Sequence, residues 1–244
     1  MDKIISVANA GVLLDLDGKK VLIDGLCSCE SSLFHTLPEE TFQQIIQGQP
    51  PFDGLELLLI THHHFDHFAA DKTAEFLRHS PKAAVVSNSK VINKIKAELG
   101  EGGEYNLIPV ELPLFSSVEL TVKGIKLRVF SLRHDGKQFA EVSNLAFLIE
   151  DEVKLMHVGD ATASEENYAT LGLADMGIDL FVAPFPYLGL PSARKVIIKY
   201  INPRQLVLVH FPVATKDSYG WIGSTLKNYQ RIKDDFLPTK LFLK

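Results

Sequence analysis

The stretch Thr61-His62-His63-His64-Phe65-Asp66-His67 decides how this chain is read. It follows an apolar run over residues 55–60 that reads as a buried strand. Four of its side chains suit a divalent metal: neutral imidazole matches zinc, manganese or iron, and carboxylate adds charge and oxygen coordination. Strand alternation places His62, His64 and Asp66 on one face for as long as the strand persists. Once the strand breaks, His67 can turn toward the same point. Taken alone, the stretch reads as a four-ligand cage around one ion. It stands at the C-terminal end of a strand, where open α/β sheets bind ligands. His63 points the other way in a strand and reads as packing or solvent contact. A tag remnant would sit at a terminus and lack the interposed Asp66.

The totals bound the rest. The chain has 244 residues, 46% hydrophobic and 23% charged, an ordinary balance for a globular protein. That length fits one large domain or two small ones, and no composition break divides it, so residues 1–244 are read as a single domain. No apolar run approaches the ~20 residues of a membrane helix. Met1-Asp2-Lys3-Ile4-Ile5 lacks a secretory pattern, which makes a cytoplasmic location the expectation. The formal net charge is −5 and the cations are dispersed, which argues against a phosphate-tracking nucleic-acid surface. Cys27 and Cys29 are too close in sequence to meet disulfide geometry readily, and read as reduced thiols or, more sharply, as a soft metal or redox pair. Oligomeric state is open at this level.

Outward from the cluster, residues 4–8, 11–17 and 20–24 read as strands, with Asp17-Gly18 a hairpin signal. Asp24 ends the third, as a turn cap or as a carboxylate orienting a metal-bound histidine. Residues 25–54 form a long connection with a helix over 38–47, a candidate substrate-contacting segment. Helices are expected over 69–79 and 89–99, with a strand over 83–87 between them. Strands follow over 106–110, 118–122, 125–133, 143–150 and 153–158. Further helices are expected over 164–173, 192–201 and 215–235, alternating with strands over 180–183 and 205–210. The pattern suggests two sheets with helices outside them.

Three more ligand-type residues stand where apolar strands stop: His134 after 125–133, Asp160 in His157-Val158-Gly159-Asp160, and His210 after Val207-Leu208-Val209. One such histidine is usually a polar strand end. Three, together with the dense cluster, point to an assembled site.

On His62-x-His64-x-Asp66-His67 followed by His134, Asp160 and His210, with Val21-Leu22-Ile23-Asp24 before the cluster, the chain resembles the metallo-β-lactamase-fold hydrolase superfamily over about residues 4–211. The resemblance implies a four-layer αββα sandwich of two mixed β-sheets flanked by helices, with metals at one edge between the sheets. It implies that His62, His64 and His134 hold one metal, that Asp66, His67 and His210 hold a second, and that Asp160 bridges both. The opening stretch is thereby split between two ions. Asp66 and Asp160 are the carboxylates expected to serve catalysis as well as binding. His157 lies outside the family pattern and is expected to pack or to support a ligand. His64 stands where flavodiiron-type relatives commonly carry Glu, which favours hydrolysis over redox chemistry.

The chemistry so implied uses two divalent ions, Zn2+ foremost with Mn2+ or Fe as alternatives, about 3.5–4 Å apart and sharing a hydroxide. The hydroxide attacks an ester-type bond, in a lactone, phosphodiester or related small substrate. Two carboxylates against four positive charges leave the site net positive, so the substrate is expected to be anionic or to develop an oxyanion. The cluster is followed by Phe68-Ala69-Ala70 rather than the glycine pair of glyoxalase II, and no basic RNA-gripping arm is present. The plan is closest to the broad branch holding ascorbate-6-phosphate lactonase and N-acylethanolamine phospholipase D-type enzymes. A redox or catalytically silent metal protein is the competing class, and an RNA nuclease a third. Phe185-Pro186-Tyr187-Leu188-Gly189 reads as a rigid turn with core aromatics, or as a pocket wall with Tyr187 as a hydrogen-bond donor. Arg133 and Lys216 could contact an anion, but ordinary surface roles fit each.

Overall fold

Two runs of strands in the computed structural model, which describes residues 3–29 and 33–242, build two mixed sheets. The first holds β1 (Lys3–Ser6), β2 (Val12–Leu16), β3 (Lys19–Ile23), β4 (Leu55–Leu59), β5 (Ala84–Ser87) and β6 (Asn106–Pro109), in that order across the sheet. The β2–β3 hairpin turns at Asp17 and Gly18, both with positive φ, as the Asp-Gly pair requires. From β3 to β6 the pairing is parallel. Strands β4 and β5, inside the sheet, are covered on both faces, so they read as largely continuous apolar runs rather than alternating ones.

The second sheet runs β7 (Ser117–Val122), β8 (Ile125–Arg133), β9 (Ser143–Glu150), β10 (Leu155–His157), β11 (Leu180–Pro184), β12 (Gln205–Val209) and β13 (Thr239–Leu241). It is antiparallel from β7 to β10 and parallel from β10 to β13.

Side-chain alternation makes the layers. Leu14, Val21, Leu57 and Val86 from the first sheet pack against Val129, Phe147, Val182 and Val207 from the second. The other face of the first sheet packs on helices α1 (Glu39–Ile46), α2 (Ala70–His79) and α3 (Ser89–Leu99). Helix α3 begins where the Asn88 side chain accepts the Val91 N–H, and its predicted apolar face of Val91, Ile92 and Ile95 is the buried one. The other face of the second sheet is covered by α4 (Glu165–Tyr168), α5 (Pro186–Gly189), α6 (Pro191–Val196, continuing as a wider turn to Ile201) and α7 (Trp221–Ile232). The result is the expected αββα sandwich. No helix is long and apolar enough to cross a membrane among the described residues.

Local departures have local causes. The expected helix over 164–173 shrinks to α4. The last long helix starts at Trp221 rather than 215, because the Asp217 carboxylate accepts the Trp221 and Ile222 N–H groups and a positive-φ Gly220 precedes it. Strand β13 has three residues and no periodic signal. Strand β4 ends at Leu59, so the histidine cluster is loop and turn, not strand. Within the 25–54 connection, residues 30–32 lie outside the described residues.

Candidate metal centre

Every expected ligand leaves the C-terminal end of a strand at one edge of the sandwich. The His62–His67 loop follows β4; His134, Asp160 and His210 follow β8, β10 and β12 of the other sheet. Their donor atoms gather as two groups: His62, His64 and His134, and Asp66, His67, Asp160 and His210, the atoms of each group lying within 4.8 Å of one another. Because the loop is not a strand, alternation does not sort its members. The turn over 65–67 does, closed by His64 C=O accepting the His67 and Phe68 N–H groups. His63 is half-buried and belongs to neither group.

Hydrogen bonding fixes which nitrogens face inward. The Thr61 hydroxyl donates to Asp24 Oδ2 at 2.6 Å and accepts from His62 Nδ1 at 2.9 Å. His134 Nδ1 donates to Asp135 C=O at 2.6 Å, and His67 Nδ1 donates to Asp24 Oδ2 at 2.8 Å. In each ring the Nδ1 proton is committed, which leaves the Nε2 lone pair directed into the site. His62 Nε2 stands 3.1 Å from His64 Nδ1 and 3.3 Å from His134 Nε2. Two donors on one tetrahedral ion at 2.0–2.1 Å stand about 3.3–3.4 Å apart.

The second group has the same spacing. His210 Nε2 is 3.1 Å from Asp66 Oδ2 and 3.4 Å from Asp160 Oδ2, and His67 Nε2 is 3.2 Å from Asp160 Oδ1. Yet His67 Nε2 and Asp160 Oδ1 are buried and out of line for a hydrogen bond with each other, and neither has another partner. Two buried polar atoms that face a shared point rather than each other are what a cation between them would satisfy. Asp160 Oδ2 also lies 3.8 Å from His134 Nε2, so this carboxylate adjoins both groups. The donor set fits divalent metal ions.

The electrostatics divide the same way. Burial pushes His62 well below the ordinary imidazole range, the His67 charge adding to it, and burial together with His134 takes His64 to about 4. Burial lowers His134 too, against the pull of Asp160. The first group is therefore three neutral imidazoles, the form that ligates metals. In the second group burial opposes charge on His67, but Asp160 and the Asp24 hydrogen bond outweigh it and raise His67 well above its usual value. His210 is likewise raised to about 9 against burial, by Asp160 and Asp66. Burial works against the Asp160 carboxylate, yet His210 and His67 hold it well below the usual range. Without metal, protons on two histidines balance two carboxylates.

The supporting residues resolve several open readings. Asp24 is no mere turn cap: it accepts from Thr61 N–H, Thr61 Oγ1 and His67 Nδ1 at once. His157 is buried and outside both groups; its Nε2 donates to Ala10 C=O at 2.9 Å, and its Nδ1 accepts the Gly159 N–H. It supports the loop that carries Asp160. Tyr187 does not offer a proton to a substrate, because its hydroxyl donates to Ala161 C=O at 2.8 Å and accepts from buried Tyr168 at 2.5 Å. Cys27 and Cys29 are buried thiols and join neither group. Sequence reasoning missed Asn9, whose amide donates to Asp66 C=O and Oδ2, and Asn144, which accepts the Asp160 N–H and donates to Val158 C=O. Only their position beside apolar strands could have flagged them. A cavity of about 970 Å³ opens above the site, bounded in part by Leu33 and Phe34 of the long connection and by Phe185, Pro186, Gly189 and Leu190. Arg133 turns away from it, pairing with Glu166 at 3.0 Å.

Residues 3–210 match the family model of the beta-lactamase superfamily domain. The chain belongs to that superfamily. A curated relative, protein Rv0786c of Mycobacterium tuberculosis, is 26% identical over 185 residues, which is 74% of this chain and 76% of the relative. Among solved structures, the chain is similar to Igni18, a metallo hydrolase of the archaeon Ignicoccus hospitalis. The TM-score is 0.63 at 14% identity, covering 98% of this chain and 94% of that one. It is also similar to CmlA, a diiron beta-hydroxylase of Streptomyces venezuelae, with a TM-score of 0.62 at 13% identity over 98% of this chain. The chain spans about half the length of CmlA, 52%. At these identities the structures establish the metallo-β-lactamase fold.

Proposed function

We propose that this beta-lactamase superfamily member is a metal-dependent hydrolase with two metal sites, acting on an ester-type bond in a small molecule. The observation that carries the reading is the convergence of seven ligand-type side chains into two adjoining groups, five of whose members, His64, Asp66, His134, Asp160 and His210, line one cavity. Both sheets supply ligands, which supports treating residues 1–244 as one domain.

His62 Nε2, His64 Nδ1 and His134 Nε2 would hold one ion; Asp66, His67 and His210 would hold the other, with Asp160 shared between them. Zinc suits this nitrogen-rich set, and iron or manganese would also fit. Divalent cations held there supply Lewis acidity and a water that ionises near neutral pH. The chain's own work is to keep the donors aimed. Thr61 and Asp24 lock His62 and His67, the Asp135 carbonyl locks His134, and Asn9 and Asn144 hold the two carboxylate loops. Asp66 and Asp160 bring two negative charges to a site meant for four positive ones. The surplus favours negative charge developing at the scissile group.

A standing anion on the substrate is not part of the proposal. Among the described residues no Lys or Arg side chain lines the cavity, so nothing but the bound cations would offset such a charge. The same lining speaks against an RNA substrate. The likeness to CmlA supports a second reading, a diiron redox site in the same ligand set.

The test is to purify the chain with defined metal content and assay lactones, phosphodiesters and thioesters beside Asp160→Ala. The expected result is hydrolysis with two metals per chain, and joint loss of metal and turnover in the variant. Retained two-metal occupancy would show that Asp160 does not bridge. An iron-loaded protein that consumes oxygen and hydrolyses nothing would establish the redox reading instead.

A further inference from the structure

The cavity walls carry information that the ligands do not. Apart from the ligand-type residues, the one charged side chain lining the cavity among the described residues is Asp135, an acid. Its N–H donates to Asp160 C=O at 2.7 Å, which holds it beside the site. Along these walls an anionic substrate body would meet a carboxylate and, among the described residues, no cationic side chain, and pairing of a buried charge is what such a body needs.

The walls are apolar instead. Phe34, Phe65, Phe139, Phe185, Leu190 and Trp221 all face the cavity. Six large apolar side chains stand most open to solvent among the described residues, and three of them rim this cavity: Phe65 at 56%, Leu190 at 53% and Phe139 at 37%. Such exposure gathered at one mouth marks a binding surface. The far wall is preformed. Phe185 stacks on Phe211 at 5.5 Å and lies 5.7 Å from Trp221, which stacks on Tyr219 at 4.8 Å. A ladder of flat rings braced from behind gives a rigid apolar arm leading away from the ligand groups.

We propose that the substrate is an uncharged carboxylic ester, lactone or thioester whose apolar acyl body lies along Phe185, Leu190 and Trp221, with its carbonyl at the two ligand groups. The bond cleavage rests on the hydrolase reading; the ligand class does not. In that reaction water adds across the acyl bond. Its oxygen bonds to the carbonyl carbon, the bond to the alcohol or thiol oxygen or sulfur breaks, one proton leaves with that group, and the acid product releases the other to solvent.

Trp221 is the one tryptophan of the chain, so its emission reports occupancy of the arm without any turnover. The zinc-loaded full chain is titrated with decanamide, with acetamide, and with sebacamate, the ten-carbon amide that ends in a carboxylate. Decanamide should shift Trp221 emission saturably, acetamide should not, and sebacamate should bind at least tenfold more weakly. Leu190→Asp, at an exposed position, should keep its metal and weaken decanamide tenfold or more. In parallel, kcat/KM for p-nitrophenyl esters from acetyl to octanoyl should rise by up to about fourfold per methylene. Unmoved emission with decanamide, or equal binding of sebacamate, would overturn the ligand class. A flat chain-length series would do so while leaving the hydrolase intact. Decanamide binding without any ester turnover would uphold the ligand class and remove the hydrolase reading.

Discussion

His67 Nδ1 lies 2.8 Å from the Asp24 carboxylate, and both side chains are fully buried, one from each of two neighbouring strand ends of the first sheet. The pair fixes the His67 tautomer and aims Nε2 at Asp160. Asn at position 24 keeps the shape but can present an amide donor to Nδ1, which releases the ring. Asp24→Asn should therefore weaken one of two zinc sites by about 10–100-fold and leave the His62–His64–His134 site near its original affinity. Competition titration against a chromophoric chelator reads the two sites separately. Two unchanged affinities would mean that Asp24 only closes the turn.

The metal-free protein should lose stability on the alkaline side. His210 has its folded value raised to about 9, against burial, by Asp160 and Asp66. A raised value means that protonated His210 is bound more tightly in the folded state. Its contribution is complete below the unfolded value near 6.5 and is lost as pH climbs through 9. The ceiling on that contribution is on the order of 3 kcal/mol, or roughly 6–12 °C in Tm for a chain this size. Thermal melts in chelator between pH 6.5 and 9.5 should show the decline. Saturating zinc should remove it, because metal takes the place of the proton. A flat profile in chelator would show that His210 is not charged in the folded chain.

The layers were legible from residue order because each depends on a local pattern. Apolar runs such as Leu57-Leu58-Leu59 mark doubly covered strands, and Asp17-Gly18 marks the hairpin. The ligand residues were legible from type and spacing. Their geometry was not, since β4 stops at Leu59 and a turn rather than a pleat divides His64 from Asp66. The two asparagine braces were silent for another reason. Asn9 meets Asp66 across 57 residues and Asn144 meets Asp160 across 16, so each is a single polar residue with no periodicity to announce it. The anionic substrate expectation came from counting ligand charges. The walls that bear on it, Phe139, Leu190 and Trp221, come from three distant segments.

Gly159 should tolerate no side chain. It has φ +54°, and a Cβ there would fall 2.6 Å from Asn144 Oδ1 and 2.7 Å from the Thr61 hydroxyl, two groups that hold the ligand loops. Gly159→Ala should cost roughly 2–4 kcal/mol, from left-handed backbone plus forced displacement of its neighbours. Gly172→Ala is the control. Gly172 has φ +64° but open space around it, so roughly 1 kcal/mol is expected. Denaturant melts separate the two, and metal content should fall in the Gly159 variant alone. Equal costs would place the whole effect in the backbone and none in the contacts.

Tyr187 and Tyr168 should differ although they share a hydrogen bond. Tyr168 donates to the Tyr187 hydroxyl, and Tyr187 donates onward to Ala161 C=O, next to Asp160. Both phenols are buried, and burial raises each well above its usual value, so both stay neutral donors at any working pH. Tyr168→Phe removes one donor and leaves the bond to Ala161 intact. Tyr187→Phe orphans the Ala161 carbonyl and the Tyr168 hydroxyl together, each a buried polar group whose desolvation goes unrepaid. The first change should cost about 1 kcal/mol and the second about 2–3 kcal/mol. Only the second frees the segment that carries Asp160, so only the second should weaken zinc binding. Double-mutant analysis decides it: once Tyr187 is Phe, removing the Tyr168 hydroxyl should cost nothing further and should restore part of the lost stability, because it deletes the orphan it would otherwise leave. Equal and additive costs would mean that the pair packs as two independent rings and does not brace the Asp160 loop.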